Sequence, residues 1–129
     1  MKKYENFCAA LKNLEDIHRY QEPYDNVTTT GLVGLYEICF EQAWKMMKDI
    51  LEQHGYESSA TGSPKFIIKT AYEASMISDE TIWLDALKAR NNVAHSYNNA
   101  VALDIIRQTK EQFYGLFCDL KRNIDKNWL

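Results

Sequence analysis

From Ala102 onward, residues able to enter a core return at intervals of three and four: Ala102, Ile105, Ile106, Thr109, Phe113, Leu116, Phe117, Leu120 and Ile124. That spacing lays one stripe along a helix; a strand would need alternation at every second residue. A long helix with a single apolar stripe must bury it against other helices, which commits the chain to a helical bundle. Two prolines and five glycines in 129 residues leave long stretches with no breaker, as such a bundle requires.

The remaining segments fit the same plan. Segment 2–21 puts Phe7, Leu11, Leu14 and His18 on one face with Cys8 beside it, and Glu22-Pro23-Tyr24-Asp25-Asn26 stops it with proline and turn chemistry. Thr28 to Thr30 supply candidate N-caps for a second helix that runs to His54, with Gly55 placed to end it. On it Leu32, Leu35, Tyr36, Cys39, Ala43, Met46, Met47 and Ile50 form a broad stripe, widened by Val33, Phe40, Trp44 and Leu51. So much apolar surface needs contacts on two sides: either this is the central helix, or one face meets another subunit. A polar loop over 57–62 precedes Ser63-Pro64, which reads as an N-cap and first-turn proline opening a short third helix to about Ile77. Ser78 or Asp79 caps a fourth helix carrying Trp83, Leu87 and Arg90 along one stripe. The expected fold is all-α: a single domain over 1–129, an up-and-down four-helix bundle with an additional short helix.

Composition excludes several classes. Hydrophobic residues are 46% and charged residues 26%, a globular balance that leaves no room for disorder. The longest charge-free runs, 26–36 and 91–103, are too short to span a bilayer. Glu5, Lys12, Glu15 and Asp16 interrupt any signal-peptide apolar region after Met1-Lys2-Lys3, so the expected location is the cytoplasm. Cys8, Cys39 and Cys118 are odd in number and far apart among apolar neighbours, the pattern of reduced core thiols. His18, His54 and His95 lack metal-ligand spacing, and no glycine-rich phosphate loop is present, so neither metal nor cofactor is expected. The net charge of -3 is uneven: residues 1–60 carry six basic and ten acidic side chains, residues 61–129 nine and eight. An anionic ligand therefore belongs with the second half.

The chemistry concentrates at Arg90-Asn91-Asn92-Val93-Ala94-His95-Ser96-Tyr97. Arg90 sits where the stripe calls for an apolar residue, and a guanidinium there needs a carboxylate, a helix-end carbonyl or a ligand phosphate as acceptor. His95 can exchange a proton near neutral pH, and arginine can hold the charge developing on a phosphoryl group. Together they could cleave RNA without a metal. On a continuous helix the two side chains stand about 140° apart. For them to converge, the helix must end near Ala94 or a second copy of the chain must complete the pair. Asn91 shares a face with His95, four residues on, and is a candidate to position substrate. Tyr97 is either a core aromatic or an accessible hydroxyl.

The Arg90-x4-His95-x-Tyr97 element resembles the HEPN superfamily (higher eukaryotes and prokaryotes nucleotide-binding). With Phe40-Glu41-Gln42-Ala43-Trp44-Lys45, Ser63-Pro64-Lys65 and Trp83-Leu84 in order, the chain is most similar to the bacterial and archaeal nucleotidyltransferase substrate-binding proteins. The resemblance implies a homodimeric four-helix bundle paired with a minimal nucleotidyltransferase protein, in modules regarded as toxin–antitoxin pairs. It implies Arg90 and His95 as catalytic residues of a metal-independent ribonuclease assembled at the dimer interface. Tyr97 would be the acceptor for AMP transferred by the partner, an adduct that silences the toxin. The alternative is a non-catalytic subunit that uses the same surface to bind a nucleotide or the partner enzyme. A helical dimer with no nucleotide role would instead pair Arg90 with an intramolecular carboxylate and bury His95.

Overall fold

Four helix starts are fixed by side chains that accept a backbone N–H left over at the first turn. Asp25 accepts from Thr28 at 2.7 Å, Ser63 from Phe66 at 3.3 Å, Asp79 from Ile82 at 3.0 Å and Asn98 from Val101 at 2.9 Å. The structure is a computed structural model that describes the backbone of residues 1–129 and every side chain except those of Glu57 and Ser58. Its helices are α1 (Lys2–Leu14), α2 (Asn26–Gln53), α3 (Pro64–Glu73), α4 (Glu80–Ser96), α5 (Asn99–Gln108) and α6 (Tyr114–Asn127). A π-helical turn, Thr109–Phe113, joins α5 to α6 as one continuous helix, and 3-10 turns occupy Glu15–Arg19 and Glu57–Thr61. No strand occurs among the described residues, and the fold is the expected helical bundle with an additional short helix, α3.

Several boundaries differ from the sequence reading for local reasons. The first α-helix ends at Leu14, and the 3-10 turn after it brings Ile17 into the core while His18 is exposed, its ring edge-on to Tyr114. A turn of three residues places position 17 above Leu14, which a 3.6-residue period does not. Asp25, one of the turn residues, caps α2 in place of Thr28 to Thr30. Near the other end of α2, Gly55 takes φ +94°, a left-handed conformation natural to glycine. The third helix stops at Glu73 because Ser75 turns to φ +63° and the Asn123 side chain donates to the Ser75 and Met76 carbonyls, at 3.0 and 2.6 Å.

Packing shows where the second helix sits. It touches α1, α3, α4 and α5, with 11 of its 28 residues buried, so it is the central helix of the single chain. Around it Tyr36, Phe40, Trp83, Phe113 and Phe117 form a fully buried aromatic cluster, with ring centroids 5.4 Å apart for Tyr36–Phe113 and 5.5 Å for Trp83–Phe117. The Tyr36 hydroxyl, buried in this cluster, donates to the Ala86 carbonyl of α4. α1 is tied to α6 where Tyr4 donates to Asp125, itself 2.8 Å from Lys121 Nζ. Cys8, Cys39 and Cys118 are free thiols, and burial holds the Cys39 thiol far above its ordinary pKa. Among the described residues no helix is long and apolar enough to cross a membrane.

Tyr36→Phe keeps the ring and removes the buried hydroxyl. The expected outcome is a loss of about 1 kcal/mol, measured as a lower urea midpoint with an unchanged slope.

Candidate functional site

Tyr36 fixes α4 against α2 at Ala86, and Arg90 lies one helical turn further on. From there its guanidinium reaches the central helix. Arg90 Nη2 meets Glu41 Oε1 at 2.7 Å, and Nη1 donates to Asn91 Oδ1 at 3.2 Å. The second oxygen of Glu41, Oε2, accepts from the Trp44 indole Nε1 at 3.0 Å. The Arg90 and Glu41 side chains are 30% and 28% exposed, so the pair lies at the surface of the bundle and a ligand can reach it. One turn back on α2, Glu37 is partly buried; desolvation first, and the Glu41 charge second, raise its pKa above the usual carboxylate value, while Arg90 opposes the rise.

Beyond Arg90 the helix leaves the body of the protein. From Asn91 to Ala100 every residue is exposed except the half-buried Val93. α4 nevertheless continues through His95 to Ser96, and Asn98 then caps α5. The helix end near Ala94 that would bring Arg90 and His95 together in one chain is therefore absent, because the α4 backbone stays helical through that point. Five residues of helix separate the two side chains by roughly 7.5 Å along the axis and about 140° around it. Asn91 joins Arg90 directly, His95 is exposed on the last turn, and Tyr97 stands 48% exposed just past the helix. Tyr97 is thus an accessible hydroxyl rather than a core aromatic. Of the features expected for a helical dimer with no nucleotide role, the intramolecular carboxylate is present as Glu41, but a buried His95 is not. Among the described residues no cluster of His, Cys, Asp and Glu is arranged to hold a metal ion.

A family model described as nucleotidyltransferase substrate binding protein like matches residues 2–126. The chain belongs to that family. The family's name implies a nucleotidyltransferase partner for this substrate-binding-protein-like chain. In fold it is similar to a protein of known crystal structure from Thermus thermophilus, with a TM-score of 0.74 and 24% identity over 88% of this chain and 94% of that one. No match was found among curated proteins.

Sequence reasoning singled out Arg90 as a charge in an apolar stripe but did not find its acceptor. Glu41 and Trp44 were visible only as parts of the Phe40–Lys45 element. The missing signal was their shared helix face, three residues apart, beside a guanidinium in need of a carboxylate. Glu37 was not singled out either.

Because the folded pKa of Glu37 is raised, its contribution favours folding below the ordinary carboxylate pKa and turns into a penalty as pH rises through the folded value. Glu37→Gln removes the ionisation. The expected result is a higher Tm than the parent at pH 7, with the gap shrinking towards pH 4, followed by thermal denaturation across that range.

Proposed function

We propose that this family member is a HEPN-type protein that partners a minimal nucleotidyltransferase in the cytoplasm and acts as a metal-independent endoribonuclease, the toxin of a toxin–antitoxin pair. Arg90 is the phosphate clamp, His95 the general acid or base, Asn91 a substrate-positioning group and Tyr97 the acceptor of AMP. The observation that carries this reading is the end of α4: a half-exposed, oriented arginine, an exposed histidine on the last turn of a helix that projects past its own core, and an exposed tyrosine just beyond it.

The chemistry follows from those residues. Neutral imidazole removes the proton of a ribose 2′-hydroxyl, and the 2′-oxygen attacks phosphorus. The bond from phosphorus to the 5′-oxygen breaks, and that oxygen takes a proton from an imidazolium, leaving a 2′,3′-cyclic phosphate and a 5′-hydroxyl. Arginine stabilises the charge gathering on the phosphoryl oxygens. One chain holds its own Arg90 and His95 apart, so the reading includes a homodimer in which the second copy supplies the complementary group. AMP on Tyr97 would put a bulky anion two residues from His95 and exclude substrate phosphate by occupancy and like charge.

One observation favours a second reading. The Arg90 guanidinium already has a carboxylate, as suits a non-catalytic subunit that binds a nucleotide or the partner enzyme through the same surface. RNA cleavage in EDTA, beside His95→Ala and with product ends determined, separates the two. Cyclic or 3′-phosphate ends formed by the parent and lost in the variant, with a rate drop of at least about a hundredfold, are expected for the nuclease. RNA left intact by the parent moves the assignment to the binding subunit.

A further inference from the structure

Among the described residues two arginines meet glutamates, and they do so differently. Arg107 grips Glu22 through two nitrogens, Nε to Oε2 at 3.0 Å and Nη2 to Oε1 at 2.6 Å, the fork-to-fork arrangement of a self-contained ion pair. Arg90 meets one oxygen of Glu41, on Nη2, while the other accepts from the Trp44 indole. Asn91 takes Nη1. A guanidinium also carries an N–H on Nε and a second one on each terminal nitrogen. The contacts of Arg90 therefore hold it through one contact on each terminal nitrogen, and among the described residues its Nε donates to no acceptor, which leaves Nε and the remaining N–H groups for a phosphate.

We propose that Glu41, braced by Trp44, is a positioning residue that orients Arg90 for a phosphoryl group at this site. This rests on the reading of Arg90 as a phosphate clamp. Glu41 does two things at once. It fixes a long side chain before the ligand arrives, so that less rotamer freedom is lost at the reacting phosphate. It also offsets the charge of Arg90, with Glu37 close by, so that a ground-state phosphate is held weakly and can leave. A carboxylate that only competed for Arg90 would do neither.

The experiment compares the parent with Glu41→Gln, which keeps length and the acceptor for Trp44 but not the charge, and with Trp44→Phe, which keeps an aromatic ring and removes the indole donor. The first readout is hindered rotation of the Arg90 guanidinium by nitrogen-detected NMR, with Tm recorded alongside. The second is cleavage of an oligoribonucleotide in EDTA, with kcat and KM separated. Expected are faster Arg90 rotation in both variants with Tm little changed, kcat lower by about tenfold or more in Glu41→Gln, and KM equal or lower. Unchanged rotation in Glu41→Gln overturns the proposal, and so does a kcat above that of the parent, which would make Glu41 a competitor. If the parent cleaves no RNA, the nuclease reading fails. Glu41 is then decided by rotation together with binding of the same oligoribonucleotide: looser rotation with equal or tighter binding supports the proposal, and unchanged rotation or weaker binding overturns it.

Discussion

The rest of the molecule depends on the burial of α2. Its 11 buried residues are spread among contacts with four other helices, for α1, α3, α4 and α5 each cover part of it. The aromatic cluster at its middle gives that packing a direction. Tyr36, Phe40, Trp83, Phe113 and Phe117 are too large to slide past one another without opening voids. The Tyr36 hydroxyl adds a polar condition inside the same cluster, because a buried donor must find an acceptor and the one it finds is the Ala86 carbonyl of α4. The register of α4 on α2 follows from these two demands.

That register places the chemistry. With Ala86 held, Arg90 emerges where Glu41 can meet it, and Glu41 is itself held by Trp44. The core and the candidate site are therefore one mechanical unit, joined through a single turn of α4. Past that turn, of the α4 residues up to Ser96, only Val93 packs against the core. Its last residues are solvated on nearly all sides, and the helix persists to Ser96 before Asn98 restarts the chain. A helix end that contributes so little burial gains little for the stability of one chain. Its sequence is free to answer to a partner, be it a second copy, a nucleic acid or a nucleotidyltransferase.

Most of the bundle was legible in the residues. The cap Ser63, the choice of Ser78 or Asp79 as the next, and the stripe from Ala102 to Ile124 act locally, within one or two turns, so the sequence carries them directly. His18 lies off the expected face because a 3-10 turn changes the period, and α3 ends early because Asn123, distant in sequence, supplies the donor that holds the turn. Within the site, Arg90, His95 and Asn91 stood out by residue type and spacing, and Tyr97 through the family resemblance. Glu37, Glu41 and Trp44 did not, since nothing local distinguishes an acid that faces a guanidinium from one that faces water.

The sequence by itself determined that this chain is helical, where its third and fourth helices begin, and that an arginine, a histidine and a tyrosine follow one another at the end of the fourth. Those are short-range matters of period, capping and composition. Only the tertiary structure decided that α2 lies at the centre, that Arg90 is held by Glu41 through one oxygen, and that His95 stays on a continuous helix facing away from Arg90. These are long-range outcomes, set by which large side chains can pack together and which buried polar groups must find one another.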